Sequence, residues 1–73
     1  MLLSPRQQEV VQYMVWGLKA HEITKRMGIS YNTMKSHRYA AYHKLGATSA
    51  AHCVAIALSE GLVKGDPPWE IEG

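Results

Sequence analysis

The chain has 73 residues, a single cysteine and a formal charge of +2, which leaves room for one small domain and excludes an internal disulfide. The charge is uneven: all eight Lys and Arg precede residue 66 and are opposed there by Glu9, Glu22 and Glu60, whereas Asp66, Glu70 and Glu72 crowd the end. A basic body suits an anionic partner, and the lack of a signal peptide or membrane-length apolar run points to the cytoplasm, a reducing compartment.

Ser4-Pro5-Arg6-Gln7 predicts a helix start. Serine is the N-cap, proline takes the first helical position, glutamine three residues on completes a capping box, and Leu3 is the staple residue. Val10, Val11, Met14 and Leu18 recur at helical period as the buried face, and Gly17 ends the helix. Trp16 has two readings: an exposed aromatic that meets a partner or the chain's own tail, or a residue lying along the domain edge. A second helix, Ala20 to Met27, starts poorly because neither Lys19 nor Ala20 has a side-chain acceptor; Glu22 compensates at the dipole of this end.

Gly28-Ile29-Ser30 then turns the chain into a third helix, Tyr31 to Leu45, with Ile23, Met27 and Ile29 as apolar contacts around the turn. Two helices joined by a glycine-containing turn carry the helix-turn-helix signature. Ser30 is its N-cap and Gly46 its left-handed C-terminal residue. At about 100° per residue, Met34, Arg38, Ala41 and Leu45 share an inward stripe, flanked by His37 and Tyr42. Asn32, Ser36, Tyr39 and His43 form the opposite stripe, bordered by Lys35 and Lys44. By phase, Arg38 is expected to be a structural residue paired with Glu9 or Glu22 rather than a base contact, because a cation on the inward side needs a partner. His37 is expected to be packed rather than a ligand.

Ser49 predicts a cap for a fourth helix, Ala50 to Ser59, closed by Gly61 and apolar almost all round. Cys53 is expected to be a small packed residue. One side should meet the third helix. The other, with Ala50, Val54 and Ala57, offers close approach to a second copy; a solvent-facing alanine-rich helix is the alternative. The chain thus divides into a domain, residues 1–64, and an acidic tail, residues 65–73, whose Pro67 and Pro68 cannot continue the helix. That tail reads as flexible, unless Trp69 and Ile71 dock on an apolar patch.

From Leu3 to Val63 these residues together resemble the LuxR/GerE-type DNA-binding domain of bacterial transcription regulators. The resemblance is carried by Leu3-Ser4-Pro5-Arg6, Glu9-Val10, Gly17-Leu18, Glu22-Ile23, Gly28-Ile29-Ser30, Thr33-Met34-Lys35, His37, Lys44-Leu45-Gly46, Ala55-Ile56-Ala57-Leu58 and Gly61-Leu62. It implies an all-α, compact four-helix domain containing a helix-turn-helix, with a short C-terminal tail. It also implies that the third helix reads DNA and the fourth dimerises. Asn32, Lys35, Ser36, Tyr39 and His43 would then face the major groove, while Ser30, Thr33 and Lys44 serve the phosphates. Lys35 matches the lysine of the family's Thr-Val-Lys motif, whereas Tyr39 stands where the family often has a basic or polar residue.

The expected function is a sequence-specific, cytoplasmic transcription regulator that binds double-stranded DNA as a homodimer on an inverted repeat. The alternative is a protein-interaction module that heterodimerises with, or antagonises, a larger LuxR-type regulator. Met1 directly before the motif fits a stand-alone domain, and equally a piece of a longer regulator. An enzyme finds no support, and no cofactor or metal is expected. His21, His37, His43 and His52 show no metal-ligand spacing with one another or with Cys53, and neither a phosphate loop nor a nucleophile constellation is present.

Overall fold

Ser4 opens the first helix as its sequence requires. In a computed structural model, which describes residues 3–70, the Ser4 Oγ accepts the Gln7 N–H at 3.2 Å and Gln7 Oε1 accepts the Ser4 N–H at 2.9 Å. Each satisfies a helix-end donor that would otherwise be unpaired. Helix α1 (Pro5–Val15) is followed by α2 (Ala20–Met27), α3 (Tyr31–Leu45) and α4 (Ala50–Ser59), with a single 3₁₀ turn at Pro68–Glu70. The described residues contain no strand, so the fold is all-α with four helices. Met1 and Ile71, the latter a candidate docking residue beside Trp69, lie outside the described residues.

Gly28 ends α2 at φ 67° and Gly46 ends α3 at φ 70°, left-handed conformations that only glycine adopts without strain. The start of α2 is the weak junction. Lys19 has N-cap backbone angles, φ −82° and ψ 164°, but no acceptor to offer, so only the reciprocal half of a capping box forms: Glu22 Oε1 accepts the Lys19 N–H at 2.7 Å. Lys19→Ser should therefore raise the unfolding free energy by about 1 kcal/mol. A urea denaturation midpoint no higher than that of the wild type would show that the cap position gains nothing from a hydroxyl.

Two apolar clusters hold the helices together, and α3 belongs to both. Val10 of α1, Ile23 and Met27 of α2 and Met34 of α3 form one; Val11 of α1, Ala41 of α3, and Cys53 and Ala57 of α4 form the other. Consecutive Val10 and Val11 point about 100° apart on their helix, which lets α1 serve both clusters at once. Met14 and Leu18 pack against the first, and Leu3 against the second, as expected. The burial of Cys53 pushes its thiol pKa up, so the sulfur remains a protonated, packed group.

The fourth helix departs from expectation at Ala57. It is 0% exposed, inside the second cluster, and so cannot touch a second copy. The physical reason is its phase: Ala57 lies four residues from Cys53, on the same inward face. Ala50 is exposed and Val54 half-buried.

Packing also continues past residue 64. The Gln12 amide makes two bonds to the Lys64 backbone, donating from Nε2 to its carbonyl at 2.8 Å and accepting its N–H on Oε1 at 2.9 Å. Gln8 Nε2 donates to the Leu62 carbonyl at 3.0 Å. Pro67 is buried. Trp69 meets Trp16 edge-on, with ring centroids 5.5 Å apart, and the Arg26 guanidinium lies 4.9 Å from the Trp69 ring centroid. Of the two readings of Trp16, contact with the chain's own tail is the one observed.

Candidate nucleic-acid interface

Helix α3 presents two unlike faces because its inward one is fixed at both ends of the core. Met34 and Ala41 are 0% exposed, one in each cluster, and so set the rotation of the helix about its axis. Asn32, Thr33, Ser36, Tyr39, His43 and Lys44 are consequently exposed, and Lys35 is half-buried on the border. From Asn32 to His43 the outward stripe runs roughly 16 Å at about 1.5 Å per residue. A single helix of this kind fits a major groove about 12 Å wide.

At the start of α3, Ser30 Oγ accepts the Thr33 N–H at 3.1 Å and donates to Thr33 Oγ1 at 3.0 Å. Both residues are exposed beside the turn that joins α2 to α3. The remaining expected residues fall along one outward surface, from Asn32 at the first turn to Lys44 in the last. Basic residues at the C-terminal end, His43 and Lys44, also oppose the negative end of the helix dipole.

Arg38 is placed differently from expectation. Among the described residues no carboxylate pairs with it: Glu9 Oε1 takes Arg6 at 3.3 Å and Glu22 caps Lys19. Its stem leaves α3 on the inward side, yet the guanidinium turns back along the helix and lies 5.3 Å from the Tyr39 ring centroid. Burial opposes its charge, but the Tyr31 and Tyr39 side chains more than offset this and leave its pKa above the ordinary value. Burial likewise pushes the Tyr42 hydroxyl up, against the lowering effect of Arg38.

These contacts belong to a ladder along α3 that the stripe count alone does not reveal. The Lys35 ammonium lies 5.5 Å from the Tyr31 ring centroid, Arg38 lies over Tyr39, and Tyr39 meets Tyr42 edge-on at 5.6 Å. The signal in the sequence is the spacing of aromatic and basic residues at 31, 35, 38, 39 and 42, each within one helical turn of the next. It adds Tyr31 and Arg38 to the residues bordering the exposed face. Beside Arg38 and Tyr42, a groove of about 350 Å³ runs between α2 and α4, walled by Ala20, Ala50, Ala51 and Val54.

Among the described residues, no group of three or more His, Cys, Asp or Glu could hold a metal ion, and no helix is long and apolar enough to cross a membrane. The surface that remains is a polar and cationic helix face mounted on a rigid core.

A family described as bacterial regulatory proteins, luxR family, matches residues 1–57. The transcriptional activator protein BjaR1 of Bradyrhizobium diazoefficiens is 34% identical over 61 residues, 84% of this chain and 25% of BjaR1. Among solved structures, transcription factor GerE is similar with a TM-score of 0.84 and 26% identity, over 90% of this chain and 98% of GerE. VqmA of Vibrio cholerae, in a complex with ligand and DNA, is similar with a TM-score of 0.79 and 32% identity, over 85% of this chain and 28% of VqmA. The chain spans between 21% and 30% of the length of the curated relatives it matches.

Proposed function

The chain belongs to the luxR family of bacterial regulatory proteins and has the fold of its helix-turn-helix DNA-binding domain, and we propose that two copies bind an inverted-repeat DNA site, each reading one half through the major groove. The observation that carries this reading is the division of α3: Met34 and Ala41 fully buried on one side, and Asn32, Ser36, Tyr39 and His43 exposed on the other. Lys35, Ser36 and Tyr39 reach base edges, with Asn32 and His43 at the ends of the same stripe. Ser30, Thr33 and Lys44 serve the flanking phosphates, which fix register without reading sequence. Acting on DNA puts the protein in the cytoplasm.

The second copy joins through α4. Ala51, Ala55 and the 44% exposed Leu58, together with half-buried Val54, recur at intervals of three and four residues and leave one apolar stripe uncovered. Ala50 borders it. Small residues permit close approach but bury little area, so the pairing is weak until both subunits sit on one duplex and effective concentration takes over. Half-site centres about 34 Å apart would put both α3 helices on the same face of the DNA.

Val54→Glu should therefore lower affinity for a full inverted repeat by at least tenfold more than for a single half-site. Titration of both duplexes with a variant of native circular dichroism measures this, and Leu58→Glu gives the same test at a more exposed residue. Equal losses on the two duplexes would remove α4 as the dimer contact. Tight pairing with another regulator and no salt-dependent retention on DNA would replace the whole reading with that of a protein-interaction module.

A further inference from the structure

Arg38 is the one described cation that is set into the inward side of a helix without an acid beside it. Its Nε is buried and has no hydrogen-bond acceptor, and Glu9 and Glu22 are engaged elsewhere. That one N–H is left unpaired in the isolated domain, although the Tyr31 and Tyr39 side chains stabilise the charge as a whole. Nor is the guanidinium loose. The Tyr39 ring, itself braced by Tyr42, holds it on the edge of the exposed α3 face. Tyr31 and Tyr39 are themselves exposed, so the guanidinium beside them lies at the solvent edge of α3, and no acidic residue lines the groove on its other side.

We infer that Arg38 is a backbone-positioning residue that takes a DNA phosphate on the strand bordering the groove α3 enters. The inference rests on the reading that α3 enters the major groove. Charge complementarity favours phosphate, because the guanidinium fork matches two anionic oxygens and adds a contact without reading sequence. Its location favours DNA over a protein carboxylate. Arg38 stacks on Tyr39, one of the side chains directed at base edges, so a helix seated in the groove brings the flanking strand to it. The contact would be made by the outer guanidinium nitrogens, since Nε itself is buried.

The test is the salt dependence of binding to one selected duplex and one unrelated duplex, for the wild type, Arg38→Gln, Arg38→Met and Arg38→Lys. The two neutral variants should reduce the slope of log K against log salt by about 1 and weaken both duplexes by the same factor. Arg38→Lys should keep the slope, because it keeps the charge, while losing affinity with the fork. Melting temperature should not fall in Arg38→Met, which keeps the apolar stem. An unchanged slope with a lowered melting temperature in both neutral variants would make Arg38 structural and overturn the inference. An unchanged slope with unchanged melting would overturn it too. A wild type that binds neither duplex at low salt would instead fail the reading of α3 itself.

Discussion

Replacing Met34 by alanine should cost the domain about 2–5 kcal/mol, the range for removing a long, fully buried side chain. Met34 is the α3 side chain in the cluster formed with Val10, Ile23 and Met27, and it is 0% exposed. A chain of this size has a total stability of roughly 4–11 kcal/mol at about 0.05–0.15 kcal/mol per residue. The substitution therefore removes a large share of it. Urea unfolding followed by circular dichroism should show a much lower midpoint with little change in slope. A loss below about 1 kcal/mol would mean that the N-terminal half of α3 is anchored by something other than this cluster. DNA binding should weaken as well, but only in proportion to the fraction unfolded.

Lys35→Ala should do the reverse, although the two residues are neighbours. Its ammonium lies 5.5 Å from the Tyr31 ring centroid at the border of the exposed face, a contact that helps to order the side chain. If Lys35 donates to a guanine edge, alanine removes about 1–3 kcal/mol of specific affinity, with the loss concentrated on the selected sequence. The melting temperature should fall by a few degrees at most, because the cation–π contact at the edge of the helix is worth only about 0.5–1 kcal/mol. Unchanged binding would show that α3 meets DNA with a different rotation. A loss equal on selected and unrelated duplexes would make Lys35 a phosphate contact.

The contrast between these neighbours was legible in the sequence because it depends on helix phase alone. So were the helix limits. Ser4, Ser30 and Ser49 cap the N–H groups of residues three positions away, and Gly28 and Gly46 adopt the left-handed ends that their side-chain-free backbones favour. Ala57 was misassigned. Small apolar residues run almost all round this helix, and Ala57 was set on the outward side although it lies four residues from Cys53, the residue expected to be packed; its contact with Val11 and Ala41 follows from that phase. The partner of Arg38 was misjudged for another reason. Phase gives the direction in which a stem leaves the helix, not where a long side chain carries its head. Gln12 holds Lys64 across 52 residues of sequence, a contact with no local signature.

Selection of bound duplexes from a random DNA pool tests the account most directly, with the wild type beside folded Lys35→Ala and Tyr39→Ala variants. The wild type should enrich a two-fold symmetric sequence whose half-sites are centred about one helical turn apart, roughly 34 Å. Each variant should relax or change the preference at particular positions within both halves. An enriched sequence without two-fold symmetry would contradict the paired arrangement. Variants that enrich the same sequence as the wild type, with the same discrimination, would contradict the assignment of α3 as the reading helix.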